Sequence, residues 1–597
     1  MPDTTKTGAE GVTWNLGDLY ASGADPRLDA DFDAADRRAD AFAATYRGRV
    51  ASLSAKEMAE LLAEYEAIAE LGAKPGEFAF LSWSTQSDDP ARGALLQKTT
   101  ERGSRLRQKA VFLDIEWANA PEEAAARLIA DPLLARWRHW LVTARRLRPH
   151  LLSEPEEKLL QEKSVTGAAA WSRFFDEVHG ANRYEWEGAQ VPEQVVLAKL
   201  YDPDRTVRRA AAASVTNGLR AVERTTTYIA NTLLADKASD DVLRRYPAWI
   251  TARNLDNQVD DATVDALVTS VTGRYDIVAR YYRLKRRLLG LDELLDCDRY
   301  APLPAAERRY GWSESREIVL AAYRRFHPRM AEIASQFFDR RWIDADVHAG
   351  KRGGAFCAGG VPSLHPYVLV NYLGRSDDVM TVAHELGHGV HGFLARDRGI
   401  LLANTPLTTA ETASIFGETL VFNDLYGREN DAKVKLAMLV REIEGGFATV
   451  FRQVAMNRFE EAMHTARRTG GELTTAEFSR RWLETQRAMF GDSVTLTDDY
   501  AIWWSYIPHF IHTPGYVYAY SFGDLLVRAL YARYRSSPDG FADRYLALLA
   551  AGGSDWPHEL LKPLGVDLKD PGFWAQGLGL LEEMVNQAER LARDAGA

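Results

Sequence analysis

The sequence predicts an all-α protein with one small β element, and three observations carry that reading. Most of the 597 residues lie in long segments rich in Ala, Leu, Arg and Glu, with apolar residues recurring three and four positions apart. Runs of β-branched residues are few. The one stretch that reads as sheet is Pro366 to Tyr372, preceded by Lys351-Arg352-Gly353-Gly354 and followed by Gly374.

Taken in chain order, Asp29 to Arg49 and Ala55 to Leu71 have the spacing of antiparallel amphipathic helices. Pro121 to Lys163 continues in the same style, its charged residues forming solvated faces. Near Tyr201-Asp202-Pro203-Asp204 the texture changes: helices lengthen and aromatic residues become more frequent. A boundary there divides the chain into an N-terminal helical domain, residues 1–200, and a second helical domain, residues 201–597, which holds every chemically suggestive motif.

Composition narrows the function classes. A formal net charge of -11 argues against phosphate-backbone binding, so nucleic acid is not an expected partner. The opening Met1-Pro2-Asp3-Thr4-Thr5-Lys6-Thr7 has neither a basic nor an apolar leader region, and no stretch approaches the length of a membrane span. Cys297 and Cys357 lie too far apart in sequence to form a metal-ligand pair. These features predict a soluble, cytoplasmic protein in a reducing compartment, without a disulfide framework or membrane association.

The strongest motif follows the β segment. Ser376 is placed to cap a helix, Asp377 and Asp378 suit its first turn, and Arg396 and Arg398 suit its last before Gly399. One helix is therefore expected from 377 to about 396. Within it runs His384-Glu385-Leu386-Gly387-His388. Histidines four apart project from one helix face, so two imidazoles can take adjacent corners of a zinc tetrahedron, and Glu385 sits beside them as a general base outside the ligand set. Gly387, Gly389 and Gly392 each weaken an isolated helix by about 1 kcal/mol relative to Ala, which implies close approach by a neighbouring element. His391 fits an outer position or the core better than the ligand set.

A catalytic zinc needs a third protein ligand. The pattern with a Gly three residues and a His six residues beyond the second histidine fails, because His391 and Leu394 stand there. A carboxylate from the next helix is the alternative. That helix is expected from Pro406 to about Asp424, with Glu411 in its second turn. Thr408-Thr409-Ala410-Glu411 also fits a capping box, in which Glu411 merely reaches back to an amide. Glu418 lies on nearly the same face and is open to two readings, a hydrogen bond to a ligand histidine or an ordinary ion pair.

Between Trp503 and Phe522 aromatic residues are dense, interrupted by Pro508 and Pro514. A tetrahedral oxyanion is stabilised by His N–H and Tyr O–H donors, which His509 and one or more of the tyrosines could supply. Core packing is the plainer reading of such a stripe. If Pro514 opens a helix, Tyr516 and Tyr520 share a face while Tyr518 points elsewhere.

These stretches resemble the oligoendopeptidase F family of zinc metallopeptidases, relatives of thimet oligopeptidase, over most of the chain. The resemblance rests on Lys351-Arg352-Gly353-Gly354, on Thr381 to His391, on Ala410-Glu411-Thr412-Ala413-Ser414, and on Ile507-Pro508-His509-Phe510 with Tyr516-Val517-Tyr518-Ala519-Tyr520. Trp14-Asn15-Leu16-Gly17-Asp18-Leu19-Tyr20 also looks like the family's opening. It implies one zinc ion held by His384, His388 and Glu411, Glu385 as catalytic base, and His509 with Tyr516 as oxyanion or substrate donors, with Tyr518 or Tyr520 as alternatives to Tyr516. It further implies a helical ellipsoid with a deep channel, open to short unstructured peptides. The segment Tyr367 to Asn371 is expected to add extended substrate as a strand, which makes Tyr367 a substrate-binding residue. The function expected is a monomeric zinc endopeptidase of oligopeptides. A zinc carboxypeptidase of similar architecture and a catalytically silent peptide-binding scaffold are the rivals.

Overall fold

A computed structural model describes residues 6–303 and 308–594. Helix makes up 71% of the chain and the few strands are short, so the fold is mostly α as expected. Among the described residues no helix is long and apolar enough to cross a membrane.

The chain forms two compact units that alternate along the sequence. The first holds the described residues of Met1–Arg148, Glu307–Arg428 and Arg533–Val566; the second holds those of Pro149–Ala306, Glu429–Ala532 and Asp567–Ala597. This grouping differs from a single cut near residue 200, which falls inside the second unit.

In the first unit, helices Arg27–Tyr46, Ala55–Thr85 and Pro90–Ala110 pack together. The second of these runs past Leu71 and carries Pro75 internally. Its start is fixed reciprocally: the Glu57 amide donates to Ser54 Oγ at 3.3 Å, and the Ser54 amide donates to the Glu57 carboxylate at 2.8 Å. The apolar faces enclose Phe42, Leu61, Leu62, Leu106, Trp117 and Trp137.

The expected β segment forms strand Tyr367–Leu369, the middle strand of a three-stranded sheet. Ile343–Asp344 lies parallel on one side and Phe356–Ala358 antiparallel on the other. Lys351 explains part of its stability. It forms a fully buried ion pair with Asp344 at 2.7 Å and donates to the carbonyls of Asp346 at 2.6 Å and Val370 at 2.8 Å, which ties together the C-terminal ends of the two parallel strands.

In the second unit the 39-residue helix Arg205–Leu243 opens on Asp204, whose carboxylate accepts from the Thr206 amide at 2.7 Å. With helices Phe451–Gly470 and Thr475–Phe490 it encloses Phe459, Phe478, Trp482, Trp503, Trp504 and Phe510. A hairpin, Tyr184–Trp186 with Ala189–Val191, was not expected from the sequence. Its signal was Glu187-Gly188, which turns with φ of 52° and 81° at the two central residues, as a tight two-residue hairpin loop requires.

Candidate metal centre

The histidine-bearing helix spans Ser376–Ala395, close to the expected limits. Ser376 is its first residue rather than its cap. The Asp378 carboxylate instead accepts the amides of Arg375 and Leu373, each at 2.9 Å, which satisfies free donors at the positive end of the helix dipole. Tyr323 Oη donates to the Ala383 carbonyl at 2.6 Å, fixing the turn just before His384.

The three glycines mark close approaches. A Cβ at 387 would stand 2.5 Å from Ser414 Cα and against the Ala413 carbonyl. At 389 it would meet the Phe337 ring at 2.6 Å, and at 392 Pro366 Cγ at 2.9 Å. Gly387 thus brings the histidine helix into backbone contact with helix Thr412–Arg428. Glu411 itself lies at a break between the single turn Leu407–Ala410 and that helix, not within one continuous helix as the sequence suggested. The break lets its side chain turn toward the imidazoles.

Glu411 Oε2 is 3.3 Å from His384 Nε2 and 3.4 Å from His388 Nε2. Zinc with bonds of about 2.05 Å at tetrahedral angles separates its ligand atoms by about 3.3 Å, which is close to the separation of Glu411 Oε2 from each imidazole nitrogen. They are a set of His and carboxylate groups that could hold a metal ion, with donor atoms within 4.8 Å of one another. Ser414 Oγ donates to Glu411 Oε2 at 2.6 Å, which orients the carboxylate; local sequence gave no sign of this. The turn opens after Pro406 rather than on Thr408, and Glu411 Oε2 faces the imidazoles.

His384 Nδ1 lies 3.3 Å from Glu418 Oε2. An Nδ1–H donated to that carboxylate leaves Nε2 as the lone-pair atom, the tautomer a metal ligand needs. Burial disfavours the imidazolium of His384, yet Glu411 and Glu418 outweigh it and raise the group to about 10. Glu411 is disfavoured as a carboxylate by burial but held far below the usual range by both histidines. In this pairing the positive charge of the imidazole balances the carboxylates, the part that a divalent cation would take.

Glu385 is 7% exposed, and its Oε2 accepts no hydrogen bond among the described residues. Burial raises its proton affinity, while the charges of His384 and His388 oppose the rise. His391 is buried and pulled down to about 4 by desolvation, so it is neutral near pH 7.

In the second unit, His509 begins the short helix His509–His512 and its Nε2 lies 3.2 Å from Tyr520 Oη. The Tyr516 ring lies 6.0 Å from the His509 ring and 5.1 Å from that of Tyr520. These three form one partly exposed group. Helix Tyr518–Ser536 begins later than Pro514, but the separation of faces holds: Tyr518 is fully buried and its Oη pairs with Asn257 Nδ2 at 2.8 Å. Tyr518 is therefore a core residue and is withdrawn as a substrate contact. Tyr367 is withdrawn too, because it is 1% exposed and its strand is flanked on both sides, leaving no edge for added substrate. The sheet's outer strands are Ile343–Asp344 and Phe356–Ala358.

The loop before Tyr516 is anchored by Glu460, which sequence reading did not single out. Its buried Oε1 accepts the Gly515 amide at 2.8 Å, at a residue with φ of 74°. Burial raises this carboxyl to about 8, against the pull of the Gly515 amide and Arg253. Because the folded value exceeds the unfolded one, its contribution is complete below the unfolded pKa of about 4.3 and is lost as pH rises through about 8. Thermal unfolding at pH 5 and pH 8.5 should therefore show Glu460→Gln gaining on the parent protein at the higher pH, since Gln keeps the acceptor and cannot ionise. An equal difference at both pH values refutes this.

The chain is similar to known peptidases along most of its length. The model for "Oligopeptidase F" matches residues 116–183. Oligopeptidase PepF of Bacillus subtilis (strain 168) is 27% identical, over 99% of this chain and 88% of its own length. Group B oligopeptidase PepB of Streptococcus agalactiae is also 27% identical, over 78% of each chain. Among solved structures, a candidate peptidase from Chlamydophila abortus superposes with a TM-score of 0.89 at 24% identity, covering 97% of this chain and 98% of its own. Oligoendopeptidase-F from Enterococcus faecium gives 0.69 at 22% identity, covering 95% and 98%. The model described as "Peptidase family M3" matches residues 198–580, well over half of the sequence, and the chain belongs to that family.

Proposed function

We infer that the chain, a family M3 metallopeptidase acting on oligopeptides, is a zinc endopeptidase that cuts internal bonds of short, unstructured peptides in the cytoplasm. The observation that carries the reading is the spacing of 3.3 and 3.4 Å between Glu411 Oε2 and the two imidazoles, which suits a tetrahedral ion with a position left for water or substrate. His384, His388 and Glu411 would hold it. When bound, such an ion supplies Lewis-acid polarisation of water and of the scissile carbonyl.

The protein's own groups divide the remaining work. Glu385 Oε2 takes a proton from the attacking water and returns it to the leaving amine, a role favoured by the burial that raises its basicity. His509 Nε2–H and the phenol of Tyr516 or Tyr520 donate to the developing oxyanion or to the substrate backbone. The open edge of Phe356–Ala358 offers main-chain groups to an extended peptide, which binds with little side-chain selectivity. Both cysteines are free, in keeping with a reducing compartment. One subunit supplies every group named, so a monomer suffices.

A length series of peptides blocked at both ends tests the reading. Cleavage at internal bonds, abolished by a chelator and restored by zinc, is expected. Blocked peptides left intact while free ones lose C-terminal residues would establish the carboxypeptidase alternative; no hydrolysis of either would leave the scaffold.

A further inference from the structure

Within the first unit, the outer strand Phe356–Ala358 packs on the histidine helix and also on helix Ala55–Thr85. Three contacts place the second helix along the strand and its exit. The Phe80 and Phe356 rings lie 5.2 Å apart, the Glu77 carboxylate accepts the Gly360 amide at 3.3 Å, and the Glu70 carboxylate accepts the Ser363 amide at 2.6 Å. Helix numbers fall as strand numbers rise, so the two run in opposite directions, with residues 70, 77 and 80 on one helix face.

The two ends of the strand carry opposite charges, and neither has a counter-charge among the described residues. At the C-terminal end, Glu77 Oε1 holds the Gly360 amide, while Oε2 makes no hydrogen bond or ion pair there. A Cβ at residue 360 would stand 2.7 Å from Oε2, so a glycine is what lets the half-buried carboxylate lie against this backbone. Lys74, one helical turn away, is directed to the Tyr20 ring, 5.2 Å from its centre. At the N-terminal end, the Arg352 guanidinium lies 5.5 Å from the centres of both the Phe80 and Phe356 rings, with no carboxylate partner. Burial first, and then Glu385 and Glu77, raise the Cys357 thiol between these ends, in keeping with a strand that has both carboxylates for neighbours.

We propose that Glu77 is a specificity-determining residue that receives a cationic group on the N-terminal side of a peptide lying along this strand. The terminal ammonium and a Lys or Arg side chain bring the same chemistry, a charged N–H donor for Oε2. The charges also choose a direction. A peptide paired antiparallel to the strand brings its N-terminal side to Gly360 and Glu77 and its C-terminal side to Arg352, whereas parallel pairing sets like charges together. An extended chain covers the distance from Phe356 to Gly360, about 13 Å, in about four residues, so only a short peptide has both termini within reach. The assignment rests on the peptidase reading given above and adds to it a charge preference.

The test uses one short peptide in three forms: with a free amine, N-acetylated, and N-acetylated with Lys in place of its first residue. Binding is measured by calorimetry in Glu385→Gln, with and without Glu77→Gln, and hydrolysis in the full active protein. The free amine should bind about 10-fold more tightly than its acetylated form, with the difference in hydrolysis lying mainly in KM. Glu77→Gln, which keeps an oxygen for the Gly360 amide, should bring that ratio close to 1 and leave the affinity of the acetylated peptide unchanged, which a disturbed strand would not. Arg352→Gln should keep the amine ratio and remove only a preference of about 3-fold for the free acid over the C-terminal amide. An acetylated Lys peptide that recovers the preference assigns a side-chain cation as an equally good source; one that does not assigns the terminus. Equal binding of the free and acetylated forms overturns the proposal, and so does a ratio that survives in Glu77→Gln or is lost in Arg352→Gln. Absence of hydrolysis alongside a binding preference overturns the peptidase reading and leaves the subsite standing.

Discussion

Glu385→Gln should retain its metal and lose about 10²–10⁴-fold in kcat on an end-blocked peptide, the range that a positioned acid–base group supplies. The side chain follows His384 directly, so it sits beside the ligand set without belonging to it, and among the described residues its buried Oε2 has no donor. Gln keeps the shape and one acceptor but cannot take a proton. Substrate affinity should therefore change little, because the carboxylate acts on the proton in flight rather than on the bound peptide. Metal content by atomic spectroscopy and turnover on the same preparation decide the matter. A variant that keeps a tenth of its rate has another base; one that loses its metal shows that Glu385 belongs to the ligand set.

Gly387→Ala should be the most damaging substitution that removes no functional group. The new methyl meets the backbone at Ala413 and Ser414, where no side-chain rotation can give way. Overpacking of this kind destabilises by about 1–3 kcal/mol, and the gain in helix propensity, about 1 kcal/mol, offsets only part of it. The chemical consequence is larger than the structural one. Glu411 stands two residues before Ala413 on the displaced stretch of chain, so its 3.3 and 3.4 Å spacings to the imidazoles open together. Zinc affinity, measured by competition with a chromogenic chelator, should fall about 10-fold to 100-fold, as when an orienting partner of a ligand is lost. Gly392→Ala, which meets only the Pro366 ring, should fall much less. Equal affinities for all three proteins would show that the helix contact does not set the ligand geometry.

The histidine helix was legible because its information is local. Four-residue spacing fixes the shared face of His384 and His388, and three glycines in a row of otherwise good helix formers announce close neighbours without naming them. What the neighbours are depends on residues far along the chain: Ala413 and Ser414, Phe337, and Pro366. The same limit explains the corrected residues. Tyr367 lies in a continuous apolar run that is buried throughout, but its partners at Ile343–Asp344 and Phe356–Ala358 are too short to be read as strands. Tyr518 falls in an aromatic run whose two faces differ only in what packs on them, and Asn257 decides that. The break at Glu411 reflects tertiary demand: the sequence around it suits a continuous helix, and the chain departs from one where the carboxylate has to turn.

The alternation of the two units along the sequence also bears on biosynthesis. Six successive segments belong to them in turn, so the polypeptide crosses from one to the other five times. Tyr545, which donates to the Thr412 carbonyl at 2.7 Å right beside Glu411, emerges from the ribosome more than a hundred residues after the carboxylate it helps to seat. The first unit cannot finish folding on a nascent chain shorter than Val566, and a translation product that stops before it would expose a half-built ligand cluster to chaperones and proteases.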